Sequence, residues 1–391
     1  MVLVAQSPLL PKLSLVDDVQ KTLREQIHSG RYQSGEWLPP ERTLGLELKV
    51  HRKVVRAAIA RLTEEGLLIR RPNCRPIVNV PERQNEDGNG EASKSPTEHT
   101  ASRLVALVMW RGGGLLEKQE TSQQRIFWGM NQELGQAGYH ALFMDLGANI
   151  GSEEGNAERE AAHLQYALDH NFGGVVFYPY AYERNHELVK KVAREMPLIV
   201  IDRLLPGLDF DYVGIHNRQS FADAVTYLVS LGHRRIAHVT KSEPINTVQD
   251  RLRGYLQAMH DSFGRDCYEM VLVAPMFYGA EWPVFETVFR QDPNERPTAI
   301  ICVNDYDAVY VQAKLRTLGL EVNKDVSLIG CDDVIPSLDN GVGLTTIAQP
   351  FEQIGTEAAK LYLRRTQESS AGYVHVELPA TLVVRDSCRA V

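Results

Sequence analysis

Leu15, Val19, Leu23 and Ile27 recur every fourth residue, the spacing of one apolar helix face, and Gly30 marks that helix's end. A turn holding Gly35 and Pro39-Pro40 follows, and then a short helix from Glu41 carries Leu44 and Leu48. Val55, Ala58, Ile59 and Leu62 form the buried stripe of a third helix from about His51 to Glu65, stopped by Gly66. LLIRR and PIVNV read as two strands around a Pro72-Asn73 turn. Three helices and a hairpin predict a winged helix-turn-helix over residues 12–80.

Residues 81–101 (PERQNEDGNGEASKSPTEHTA) contain no Val, Ile, Leu, Met or aromatic residue, so the segment reads as a flexible linker. As a coil it would span roughly 25 Å, a slack tether that transmits orientation poorly. Over residues 102–391 apolar runs alternate with helical stretches: 104–110, 141–146, 173–178, 197–202, 212–215, 235–239, 268–273, 298–303 and 326–330. Short continuous apolar runs between helices predict buried parallel strands in an α/β fold. That number of strands exceeds one comfortable sheet, so two lobes are expected, with a ligand held in the cleft beyond the carboxyl ends of the strands.

Of the 391 residues, 43% are hydrophobic and 24% charged, as in a folded globular chain. No apolar run reaches the ~18 residues of a membrane span, and residues 1–14 lack a secretory pattern, so a cytoplasmic protein without membrane partners is expected. The five cysteines are scattered without a C-x-x-C pair, which predicts reduced thiols and no zinc site. G-x-S-x-G, H-E-x-x-H and the P-loop are all absent, so neither enzyme chemistry, metal nor cofactor is expected. The net charge of −8 hides an asymmetry. Residues 1–80 hold 13 Lys/Arg against 8 Asp/Glu, a net of +5 that leaves −13 for the remainder. A small basic module on an acidic body points to a polyanionic partner.

The third helix sets Arg52, Lys53 and Arg56 opposite its apolar stripe. Arg42 opens the preceding helix, and Arg70, Arg71 and Arg75 flank the hairpin tip. Long cations there suit duplex DNA, with forks for guanine edges and the rest for phosphates. The plain alternative is a solvated basic helix face. The stretch LREQIHSGRYQSGEWLPPERTLGLELKVHRKVVRAAIARLTEEGLLIRR resembles the N-terminal reader of the GntR family of bacterial regulators. Its Gly-x-x-Leu-Pro-x-Glu-Arg turn and Val-Arg-x-Ala-x-x-x-Leu-x-x-x-Gly-Leu run carry the likeness. That resemblance implies DNA contact by Arg42, Arg52, Lys53 and Arg56. Three departures from the pattern matter. Pro40 removes a side-chain cap, His51 exchanges a serine's hydroxyl contact for an imidazole and stays a DNA-contact candidate with Arg75, and Asn73 and Arg75 stand where the wing tip has glycines.

The remainder resembles the effector domain of LacI-type regulators, itself akin to periplasmic sugar-binding proteins. The likeness is carried by VGIHNRQSFADAVTYLVSLGHRRIAHV, RLRGYLQAM, the run from PTAIICVNDYDAVY to TTIAQPFEQIGTEAAKLYL, and LPATLVVRDS. A GntR-type reader on such a sensor is the arrangement of arabinose-responsive repressors. The resemblance implies a periplasmic-binding-protein-like fold, a homodimer on palindromic operator DNA, and a small sugar-like effector. In the cleft it implies Arg251 as ligand guanidinium, Asp305 as ligand carboxylate beside Asn304, and Phe277 as stacking aromatic. Asp202 and Gln349 are further candidates. A neutral polyol needs such a set, an Arg fork and a carboxylate for neighbouring hydroxyls and a ring for its apolar face.

Plainer roles stand beside these: an Arg251–Asp250 pair, Asp305 as a helix N-cap, Phe277 in the core, and a local Asp202–Arg203 pair. His233 reads as structural, and Trp110 with Arg111–Gly114 as a cleft rim. Rival functions are a sugar-binding or transport component, a sugar-converting enzyme, or a regulator sensing a purine or phosphorylated metabolite.

Overall fold

The computed structural model describes residues 15–28, 31–32, 37–65, 67–69, 75–78, 102–110, 121–146, 153–243, 245–276 and 278–391. The chain divides into two units, Met1–Thr97 and Glu98–Val391. Gly30, Gly66, the Arg70–Asn73 tip, the 81–101 linker, Arg111–Gly114 and Phe277 lie outside the described residues.

The first unit contains α1 (Leu15–His28), α2 (Glu41–Glu47), α3 (Arg52–Glu64), β1 (Leu68–Ile69) and β2 (Ile77–Val78). Val19, Leu23, Ile27, Leu44, Val55, Ile59 and Leu62 close one core, joined by Leu68 and Val78 from the antiparallel hairpin. Leu15 departs from its expected stripe: it opens α1 and is 58% exposed. Among the described residues the two strands pair Leu68 with Val78 and Ile69 with Ile77.

From Leu104 to Ile215 the second unit alternates β3 (Leu104–Met109), α4 (Ser122–Gln136), β4 (His140–Asp145), α5 (Glu153–Asp169), β5 (Gly174–Phe177), α6 (Tyr182–Glu195), β6 (Leu198–Ile201) and β7 (Asp211–Ile215). Next come α7 (Asn217–Ser230), β8 (Ile236–Thr240), α8 (Asn246–Phe263), β9 (Met270–Val273), α9 (Pro283–Phe289), β10 (Ala299–Cys302), α10 (Asp305–Thr317), β11 (Ser327–Asp332) and β12 (Thr345–Ala348). It ends with α11 (Phe351–Gln367), β13 (His375–Leu378) and β14 (Thr381–Val383). Two six-stranded sheets result, ordered β13-β7-β6-β5-β3-β4 and β14-β12-β11-β10-β8-β9. All pairings within them are parallel except β12 with β14.

The nine runs expected as strands all form, each shifted by a residue or two. β12, β13 and β14 were not anticipated. They are short, and β13 and β14 are half-exposed sheet edges without the continuous apolar signal of a buried strand.

The chain passes between the lobes three times, at His216, at Gln349-Pro350 and at Pro379-Ala380. α11 returns to the first lobe and crosses α4 at backbone contact. A Cβ on Gly129 would lie 1.9 Å from Glu352 O, and one on Gly355 would lie 2.0 Å from Ile126 O. Glycine is required at both. The Arg125–Glu352 pair at 2.8 Å closes the same seam. Among the described residues no helix is long and apolar enough to cross a membrane.

Candidate functional site

The exposed end of α3 is built by its capping. His51 is the N-cap, its Nδ1 accepting from Lys53 N at 3.2 Å, so the imidazole satisfies one of the free amides of the helix's first turn. Pro40 occupies the corresponding place on α2 and gives no side-chain cap. Arg52 Nε donates to Glu41 Oε2 at 2.9 Å, and Arg56 donates to the same carboxylate at 2.7 and 3.0 Å. Hydrogen bonding from Arg56, then from Arg52, holds the Glu41 carboxyl down at about 2 despite partial burial. The two expected DNA-facing guanidiniums are therefore aimed by one carboxylate from α2, which the sequence pattern did not disclose. Arg42 and Lys53 are exposed beside them, and the Arg75 guanidinium lies 6.0 Å from the Trp37 ring near the hairpin.

The second unit gathers its polar groups at the carboxyl ends of the strands. Arg251, buried on α8, donates from Nε to Asn217 Oδ1 at 2.7 Å and from Nη1 to Val303 O at 2.6 Å, with Phe221 5.7 Å below. Asp250 pairs with Arg253 instead, which removes the plain alternative for Arg251. The charges that Arg251 feels include those of Asp332 and Asp202. Asp332 ends β11 and accepts from Gln349 Nε2 at 2.6 Å. Burial pushes its carboxyl up to about 6 against the opposing pull of Arg251. Asp202, Asp332 and Asp333 hold φ of 64°, 115° and 57°, a left-handed backbone that costs ~1–3 kcal/mol per residue and collects at functional sites.

Asp305 requires a correction. Its side chain is fully buried, and its carboxylate accepts from Thr346 Oγ1 at 2.6 Å, Val334 N at 2.8 Å and Ile335 N at 3.2 Å. It braces the turn after β11, and no face is left for a ligand. Nor is it the helix cap: Asn304 caps α10 by accepting from Asp307 N at 2.8 Å. Burial and the neighbouring Asp332 charge push Asp305 up to about 7. The carboxylate brought to Arg251 and Gln349 is Asp332. The Gly-Cys-Asp-Asp sequence closing an expected strand was the signal for it.

Arg203 places its guanidinium 4.8 Å from the Tyr178 ring, so the local Asp202–Arg203 pair gives way to a cation–π contact at the rim. His233 spans Thr298 Oγ1, Ser327 Oγ and Arg389 O at 2.8–3.0 Å and ties the C-terminus to the second lobe. Trp110 follows β3, half-buried.

Residues 15–75 match the bacterial regulatory proteins of the gntR family, and residues 225–388 match the periplasmic binding protein-like domain. The arabinose metabolism transcriptional repressor of Geobacillus stearothermophilus is 23% identical over 372 residues, covering 93% of this chain and 95% of that one. A LacI family transcriptional regulator from Enterococcus faecium with bound ribose is 21% identical and covers 74% of this chain and 99% of its own, at a TM-score of 0.55. The lac repressor dimer bound to operator and the anti-inducer ONPF is 19% identical and covers 75% of this chain and 96% of its own, at a TM-score of 0.58. The two structures establish the fold. The chain thus joins a segment that matches the gntR family of bacterial regulatory proteins to one that matches the periplasmic binding protein-like domain.

Proposed function

We propose that the protein is a bacterial transcriptional repressor that binds a palindromic operator as a homodimer, its operator affinity set by a small sugar in the cleft. The observation that carries this reading is the floor around Arg251. One guanidinium fixed by Asn217 and Val303 feels the charge of the Asp332 carboxylate, which the Gln349 amide holds, and Asp202 adds a second negative charge. A fixed fork opposite a carboxylate suits the vicinal hydroxyls of a neutral polyol better than it suits a phosphate. The repressor of arabinose metabolism supports the same class. Arg42, Arg52, Lys53 and Arg56 supply the DNA face, with Arg75 at the wing. An effector acts through its unequal affinity for two lobe arrangements, typically worth ~1–3 kcal/mol.

The test is selection from a random duplex pool, repeated with L-arabinose, D-ribose, D-galactose and cellobiose. A palindrome enriched by wild type and shifted by one sugar sustains the proposal, and enrichment of nothing at any salt removes the DNA role. Arg52→Ala is expected to weaken the selected site roughly 10–100-fold and to lower the slope of log affinity against log salt by about 1.

The cleft adds a pH dependence. The raised Asp332 pKa means that protonation favours the free folded state below about 6, an advantage lost as pH rises through that value. The ionised form is the one that accepts hydroxyl protons. Sugar affinity measured by titration calorimetry is therefore expected to fall as pH drops below about 6, and to lose that dependence in Asp332→Asn.

A further inference from the structure

The effector row extends past the groups already described. Extending the β8/β10 and β10/β11 registers places Lys241 level with Asn304 and Asp332. Two strand spacings, roughly 10 Å, separate Lys241 from Asp332 along this edge. The Lys241 ammonium is held from two sides, 2.8 Å from Asp307 Oδ1 and 4.8 Å from the Tyr278 ring centre. Asp307 is fully buried, and the Lys241 side chain is 15% exposed. An ammonium has three N–H groups; the carboxylate and the ring face account for two, and the third can serve a ligand oxygen.

We infer that Lys241, held by Asp307, is a specificity-determining residue that donates to a hydroxyl at the end of the effector remote from Arg251. The inference rests on the sugar reading above and extends it. Asp307 cancels the ammonium's charge, so the group recognised there is a neutral hydroxyl and not a phosphate. A buried ion pair is a poor device for stability alone, since apolar residues of similar volume commonly serve as well. Its position beside the cleft row gives it a use.

The experiment is calorimetric titration of the full chain with L-arabinose, D-ribose, D-galactose and cellobiose, in wild type, Lys241→Met and Lys241→Met/Asp307→Leu. The double variant guards against misfolding, because Lys241→Met alone strands a buried carboxylate. The double variant is expected to keep its melting temperature, to lose about tenfold or more affinity for the tightest sugar, and to change the affinity ratio between that sugar and the next. A ratio unchanged within about twofold makes the pair purely structural and overturns the inference alone. Wild type that binds none of the four sugars while still selecting an operator overturns the sugar reading and this inference with it.

Discussion

Arg251→Ala is expected to abolish the response to effector while operator binding persists, giving a permanently repressing variant. The guanidinium is buried, and two of its donors are fixed by Asn217 and Val303 at 2.7 and 2.6 Å. Its charge acts on the Asp332 carboxylate, which Gln349 holds at 2.6 Å. Each charge-assisted hydrogen bond to a ligand is worth ~1.5–3 kcal/mol, so losing two weakens sugar binding about 100-fold or more. Arg251→Lys is expected to fail nearly as badly, because a compact ammonium lacks the planar five-donor fork that reaches Asn217 and Val303 and still presents parallel N–H groups to a ligand. Calorimetry with the responsive sugar, and operator binding with and without it, measure both halves. Retained sugar affinity in Arg251→Ala would move the effector site elsewhere.

Asp305 and Asp332 are expected to respond oppositely to substitution. Asp305→Ala removes the acceptor of Thr346 Oγ1, Val334 N and Ile335 N. Buried donors left without partners cost ~1–3 kcal/mol each, and part of that is recovered by relaxation and protonation. A loss of about 3 kcal/mol lowers the melting temperature by roughly 6–10 °C in a domain this large. Asp332→Asn keeps its size and its bond to Gln349, so it is expected to melt near wild type and to lose sugar affinity. Thermal melts and titrations on both variants decide the matter. If Asp305→Ala melts normally and Asp332→Asn still binds sugar, the assignment of the two carboxylates is reversed.

The pair shows where reading a sequence stops. Asp305 follows an apolar strand and an Asn, the place expected for a ligand carboxylate. Nothing local indicates that Thr346 and the 334–335 amides, some thirty to forty residues away, converge on it. Asp332 was equally visible as a letter. Its role depends on a register that brings β11 beside β10 and on Gln349 arriving from β12. Lys241 and Asp307 are sixty-six positions apart and meet only because β8 and β10 are neighbours. Similarly, Glu41 aims Arg52 and Arg56 from a different helix.

The sequence by itself determined what periodicity and composition can carry. It specified the three-helix stripe of the reader, the basic face of α3, the nine parallel strands of the apolar runs, and the division into two lobes. These follow from burial of one helix face or of a whole strand, which leaves a repeating mark on the chain. It also singled out Arg251, Asn304, Asp202 and Gln349 as groups at strand ends or on the helix beside them. Tertiary structure alone decided which carboxylate acts on Arg251, which one braces the fold, how β12 and the edge strands β13 and β14 complete the sheets, and where α4 and α11 touch at glycine. Those outcomes rest on single hydrogen bonds and close approaches between distant segments. Such contacts depend on strand register and chain crossings, and a local pattern records neither.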